Sequence, residues 1–279
     1  MQFEPFTVIM SVYEKENASF FDRSLESITL LQSVMPDEIV LVVDGPVNKD
    51  LEKIIDKYCK KYNFFKVIRL AENKGLGNAL KIAVLKAKNN LIARMDSDDL
   101  AEKTRFEQQL QFFKVHLDVD IVGGDITEFI GEEKNIITRR EVPCTNREIK
   151  QYMKKRCAFN HVTVMFKRDA VLKAGNYRDW YWNEDYFLWI RMQLKNAVFA
   201  NLGVVLVNVR AGKEMYRRRG GIEYFRSEAG IQKYMLQHGM ISKYRYIINI
   251  WIRLMLQVLM PDSFREIIFK TIARKKFNS

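Results

Sequence analysis

Three carboxylates within four residues, Asp96, Asp98 and Asp99, follow directly on the apolar run Leu91-Ile92-Ala93-Arg94-Met95. Asp is poorly tolerated in strand interiors and favoured at strand ends and turns, so a strand over this run should stop at or near Asp96. Its carboxylates then sit at the carboxyl end of a strand, where open α/β sheets place their ligands. Asp96 and Asp98, one residue apart, can face one hard cation. Mg²⁺ or Mn²⁺ is typically shared between one or two carboxylates and the phosphates of a substrate. A D-x-D this short also occurs as a solvated turn capping a helix, here one expected from near Glu102, so its meaning rests on what surrounds it.

Other residues could do chemistry in the same place. Glu38-Ile39-Val40-Leu41-Val42-Val43 is a second strand that also ends in an Asp, Asp44, followed by Gly45-Pro46. Asn73-Lys74-Gly75-Leu76-Gly77-Asn78 is a small-residue loop running into a helix, and its glycines let backbone approach a ligand. Glu184 and Asp185 open a helix; they either complement its dipole or serve as a catalytic pair. His161 is either a satisfied core histidine or a neighbour of the substrate. Arg217-Arg218-Arg219 is either a solvated basic face or a clamp on phosphates.

The elements that position these residues alternate in type. Phe6 to Tyr13 is a buried strand by its β-branched and aromatic content. Phe21, Leu25, Ile28, Leu31 and Met35 recur at helical spacing and predict a helix up to Pro36. After the second strand, a helix is expected from about Asp50 to Tyr62, and a third strand from Phe65 to Leu70. Four strand–helix units within the first 115 or so residues imply a parallel sheet with right-handed crossovers. The loops after strands one, two and four therefore gather on one edge, as a nucleotide pocket with a metal beside it. Further on, a strand at Asp120–Gly124, a hairpin over 125–145, and a strand at His161–Phe166 leading to a short helix ending at Gly175 are expected.

Composition limits the classes. With 48% hydrophobic residues among 279, the chain can bury a sizeable core. A net charge of +12 calls for a polyanionic partner: nucleic acid, anionic membrane or phosphorylated small molecules. Cys59, Cys144 and Cys157 match no zinc spacing and read as free thiols of a reducing cytosol. His116, His161 and His238 are too scattered for a histidine metal site. Met1-Gln2-Phe3-Glu4-Pro5 lacks the basic start of a secretory leader, and no run of about 18 apolar residues predicts a membrane span.

Taken together and in order, these motifs resemble family 2 glycosyltransferases of the GT-A fold. The resemblance rests on Val8 to Tyr13, the strand-end Asp44, N-K-G-L-x-x-A-L at Asn73 to Leu80, the D-x-D of Asp96 and Asp98, and the Glu184-Asp185 pair. It implies an α/β fold whose Rossmann-like, mostly parallel donor half (about 1–118) adjoins a mixed acceptor half (about 119–219), with basic amphipathic helices over 220–279. It also implies a UDP-sugar donor, with galactose, glucose or N-acetylglucosamine open and galactose slightly favoured. Ser11, Tyr13, Asp44, Asn73, Gly75 and Asp96 would bind that donor; Asp96 and Asp98 would hold Mn²⁺ or Mg²⁺. Asp185 would be the general base of a single, inverting displacement, with Glu184 and His161 toward the acceptor and Arg217, Arg218 and Arg219 toward the diphosphate. The Q-x-x-R-W motif of processive members is absent, so transfer of one sugar in surface-polysaccharide assembly (lipopolysaccharide O-antigen, capsule or exopolysaccharide) is expected.

Two rivals make different demands. A nucleotidyltransferase usually carries a Gly-rich loop after its first strand, and Val12-Tyr13-Glu14-Lys15-Glu16 has no glycine. A non-catalytic binder of nucleic acid would explain the charge but leave the clustered aspartates repelling phosphate to no purpose. Residues 240–279 hold eight Lys/Arg against two acids, around the apolar Tyr246–Met260 stretch closed by Pro261. At about 1.5 Å per residue this stretch is too short to cross a bilayer of about 30 Å. An interfacial helix on the anionic inner face of the cytoplasmic membrane, near a lipid-diphosphate-linked acceptor, is expected; packing on the catalytic unit or in a homodimer is the alternative.

Overall fold

The computed structural model describes residues 3–212 and 220–260, together with the backbone of 275 and 276. Strands β1 (Phe6–Val12), β2 (Glu38–Val43), β3 (Phe65–Arg69) and β4 (Leu91–Arg94) alternate with helices α1 (Ala18–Ser27), α2 (Lys49–Lys61) and α3 (Leu76–Lys86). All four strands are parallel, in the order β3-β2-β1-β4. Every residue of β2 is buried, which is what a parallel strand covered on both faces requires.

β4 continues the sheet through β8 (Met165–Lys167), antiparallel to it, and then β6 (Ile121–Phe129) and β7 (Ile136–Arg140). A twelve-residue strand, β9 (Phe199–Arg210), runs parallel to β6 and pairs antiparallel with the two-residue β5 (Leu100–Ala101). The remaining helices are α4 (Arg105–Val115), α5 (Asn146–Met153), α6 (Arg168–Lys173), α7 (Glu184–Leu194), α8 (Ile222–Gln237) and α9 (Lys243–Arg253), the last passing into a π turn over Leu254–Leu259. One apolar core packs α1, α2 and α4 against the sheet, and a second packs α3, α6, α7 and α8.

Two expectations are corrected. The first helix stops at Ser27, and Leu31 and Met35 are 41% exposed. Hydroxyls there bond back to carbonyls, Ser27 Oγ to Ser24 O at 2.7 Å and Thr29 Oγ1 to Leu25 O at 2.7 Å. Gln32 then ties the chain to Glu102 O at 2.9 Å, so this segment braces the D-x-D loop instead of extending a helix. His161–Thr163 is a 3₁₀ turn, not strand, because Thr163 Oγ1 bonds Asn160 O at 2.8 Å and receives Gly124 N at 3.0 Å.

Helix α9 packs on the protein through a polar face. Its buried residues are the polar ones, Asn249, Arg253 and then Gln257, at four-residue spacing. Asn249 Nδ2 reaches Lys154 O (2.8 Å) and Gln232 Oε1 (2.7 Å), Arg253 pairs with Glu228 (2.9 Å), and Gln257 bonds the same Glu228 (2.6 Å). Tyr244, Ile247, Trp251, Ile252, Met255 and Leu259 face outward, Trp251 60% exposed.

Candidate active site

The strand ends of the parallel half converge as expected. Asp44, just past β2, receives Lys74 N on one carboxylate oxygen (2.7 Å) and Gly75 N on the other (2.9 Å). Gly45 follows at φ +86°, and a Cβ there would lie 2.7 Å from Asn73 N. Only glycine lets the 73–75 loop approach this closely. Asp44 therefore holds the loop that carries Asn73 and Gly75, and the three form one unit. Ser11 is half-buried on β1 opposite Val42, and Tyr13 is exposed at the end of that strand.

At the end of β4, Arg94 is buried and both of its η nitrogens donate to the two carboxylate oxygens of Asp96. Beneath it, Arg105 Nη2 donates to Arg94 O at 2.7 Å. Asp99 accepts from Arg210 N at 2.8 Å, so the long β9 closes over the loop. Asp98 is half-buried, and its backbone oxygen accepts from Arg210 Nε at 3.3 Å. Burial, and then the charges of Asp96 and Glu16, push its carboxyl up to about 7.

A half-buried carboxylate crowded by the like charges of Asp96 and Glu16 is what a divalent cation would satisfy. Among the described residues no three His, Cys, Asp or Glu side chains form a closed cage. One or two carboxylates completed by substrate phosphates suit Mg²⁺ or Mn²⁺, so the residues present fit.

The other wall is the start of α7. Burial and the neighbouring Asp185 raise Glu184 to about 7. Asp185 is also raised, by burial first, while Cys157 Sγ donates toward its Oδ2 across 3.7 Å. His161 Nε2 lies 2.9 Å from Tyr177 OH, and burial followed by the Arg94 charge holds its ring well below the usual histidine range. It is a neutral, partnered histidine that still faces the cavity.

A cavity of about 280 Å³ joins the two walls. Arg94, Asp96 and Asp99 line it together with His161, Glu184 and Asp185. Asp44, Asn73, Gly75, Ser11, Tyr13 and Asp98 are not in its lining. Arg217, Arg218 and Arg219 lie outside the described residues. Gly77 on α3 brings the halves close, since a Cβ there would meet Arg178 O at 3.0 Å and Glu184 Cβ at 3.3 Å.

Sequence reasoning missed Arg94, Glu128, Arg140, Trp182 and Tyr224, all of which line the cavity. Arg94 carried a signal: an arginine inside an otherwise apolar strand demands a buried anion. Glu128 and Arg140 carried none, because their placement depends on the β6–β7 pairing.

Comparison with known proteins matches residues 7–177 to the family described as Glycosyl transferase family 2. The chain is 36% identical over 272 residues, 97% of each chain, to the Escherichia coli UDP-Gal:alpha-D-GlcNAc-diphosphoundecaprenol beta-1,3-galactosyltransferase. It is 36% identical over 214 residues to the amylovoran biosynthesis glycosyltransferase AmsE of Erwinia amylovora, covering 77% of this chain and 79% of that one. Among solved structures it superposes on the mannosyltransferase PcManGT of Pyrobaculum calidifontis, in complex with GDP-Man and Mn²⁺, with a TM-score of 0.63 at 14% identity. That match covers 91% of this chain and 70% of the other, and the shared architecture is the GT-A fold.

Proposed function

Because the chain belongs to glycosyl transferase family 2, we propose that it moves one galactose from UDP-galactose to the sugar of a lipid-diphosphate-linked acceptor, with inversion. The observation that carries this reading is the single cavity onto which Asp96 and the Glu184-Asp185 pair both open. The substrate class is supported by the relative's stated reaction, matched over 97% of both chains.

The acceptor hydroxyl attacks the anomeric carbon from the Asp185 side while the bond from that carbon to the diphosphate oxygen breaks. The hydroxyl proton passes to Asp185, and UDP leaves with the bonding pair. Asp185 suits the task because burial raises its affinity for a proton, and a positioned base contributes about 10²–10⁴-fold. Glu184 and His161, which line the same cavity, contact the acceptor in this reading. Asp44 and the Asn73–Gly75 loop it holds, with Ser11 and Tyr13, take the nucleoside. Asp98, with Asp96 beside it, would hold Mn²⁺ or Mg²⁺, which when bound supplies Lewis-acid neutralisation of the departing diphosphate.

The acceptor's lipid has a counterpart on α9. Its apolar face points outward, and Lys243 and Arg245 are exposed at its start. No helix of the described residues is long and apolar enough to cross a membrane. Residues 240–279 dock this face on an anionic membrane surface, with the helix lying in the interface; residues 261–274 and 277–279 are outside the described part.

Transfer is tested by offering UDP-galactose, UDP-glucose and UDP-N-acetylglucosamine with an α-GlcNAc-diphosphate lipid analogue and Mn²⁺. Galactosyl product with an inverted anomeric centre is expected. A retained centre, or equal transfer to water alone, contradicts the reading.

A further inference from the structure

We propose that Trp182 is the stacking platform that binds the acceptor's terminal sugar and so sets acceptor affinity. The proposal rests on the glycosyl-transfer reading and deepens it.

The loop before α7 is fixed on both sides of this residue. Trp180 is anchored into the α8 seam: its Nε1 donates to Ser227 O at 3.0 Å and its ring lies 4.1 Å from that of Phe187. Gly230 makes room for it, since a Cβ there would come within 2.8 Å of the Trp180 ring. Ser227 Oγ donates to Tyr181 O at 2.6 Å, and the buried Asn183 donates to Ser227 Oγ at 3.1 Å.

Trp182 itself has φ +54° and is 50% exposed. A bulky side chain rarely accepts a left-handed backbone, and strain of this kind persists where the surroundings impose it and clusters at ligand sites. Here the imposed conformation sets the indole at the cavity, two and three residues ahead of Glu184 and Asp185. The cavity also carries the charges of Arg94, Asp96, Glu128 and Arg140 and the smaller apolar side chains of Ile126, Val162 and Val209, with Tyr224. Charged groups suit hydroxyls, and small aliphatic side chains offer no flat surface as broad as the C–H face of a pyranose. An indole supplies that surface with little conformational entropy to lose. Its position beside the base, on the α7 wall, assigns it to the acceptor and not to the nucleotide sugar.

Trp182→Gly separates the ring from the backbone, because glycine takes φ +54° without strain. The probe is an α-GlcNAc-diphosphate analogue on a short alkyl chain. Its binding is measured by calorimetry and its acceptor KM by transfer from UDP-galactose, with a Tm for each variant. Trp182→Gly and Trp182→Ala should raise the analogue's Kd and KM on the order of tenfold or more, with donor KM little changed. Trp182→Phe should recover much of the loss, which a purely structural role would not produce. Unchanged acceptor Kd and KM in a folded Trp182→Gly protein overturns the platform, as does a loss confined to donor KM. Wild type that binds the analogue through Trp182 but transfers nothing supports the platform and contradicts the catalytic reading.

Discussion

Arg94 and Asp96 stand two residues apart at the end of β4, and both η nitrogens of one meet both carboxylate oxygens of the other. The pair ties the start of the D-x-D loop back to β4, and the Arg94 charge bears on Asp96, His161, Glu184 and Asp185 alike. It makes the first wall of the cavity a fixed surface instead of a loose acidic turn.

Replacing Arg94 by Met should therefore cost about 1–3 kcal/mol of stability, because Asp96 loses its bidentate partner and the buried aspartates lose a counter-charge. Arg94→Lys keeps the charge without the fork and should recover only part of the loss. Chemical denaturation of the three proteins measures this. Equal midpoints would show that the clamp holds nothing.

Asp98→Ala should abolish transfer and weaken UDP binding by well over tenfold, since it removes the carboxylate proposed to tie metal and diphosphate to the protein. EDTA should inactivate the wild type, and Mn²⁺ or Mg²⁺ should restore it. Full turnover after exhaustive chelation would contradict the metal assignment.

Glu184, pushed up to about 7, and Asp185, raised in the same direction, set the pH behaviour. A base must be ionised to act, so activity should rise with pH along an acid limb above the ordinary carboxylate range of about 4. Stability runs the opposite way. These groups bind protons more tightly folded than unfolded, so their contribution is present near pH 4 and is lost as pH rises through about 7. Glu184→Gln should reduce that loss in thermal melts between pH 5 and 8. An unchanged pH slope would exclude the shift.

Much of this site can be read from residue order because it depends on local rules. Asp44, Asp96 and Asp185 follow or open regular elements whose patterns are strong, and parallel crossovers fix which ends meet. What escaped reading depends on distant partners. β5 and β9 are strands only through each other and β6, and α1 stops early because Ser27, Thr29 and Gln32 bond elsewhere. The buried polar stripe of Asn249, Arg253 and Gln257 likewise depends on Gln232 and Glu228, which meet it from α8.

The exposed apolar face of α9 carries its own expectation. The intact protein should float with vesicles containing anionic lipid, less so as salt rises, and poorly with neutral ones. Trp251→Ser with Met255→Ser, both on the exposed face, should reduce flotation while leaving Tm and turnover of a short soluble acceptor close to wild type. Unchanged flotation would remove α9 from the membrane contact.

The most direct measurement is the turnover of Asp185→Asn at saturating UDP-galactose and acceptor, alongside its UDP-galactose Kd. Asparagine keeps the shape but cannot take the proton, so kcat should fall by about 10²–10⁴-fold with donor affinity within a few-fold of wild type. Near-normal kcat with weakened donor binding would place Asp185 on the nucleotide side and contradict its role as the base.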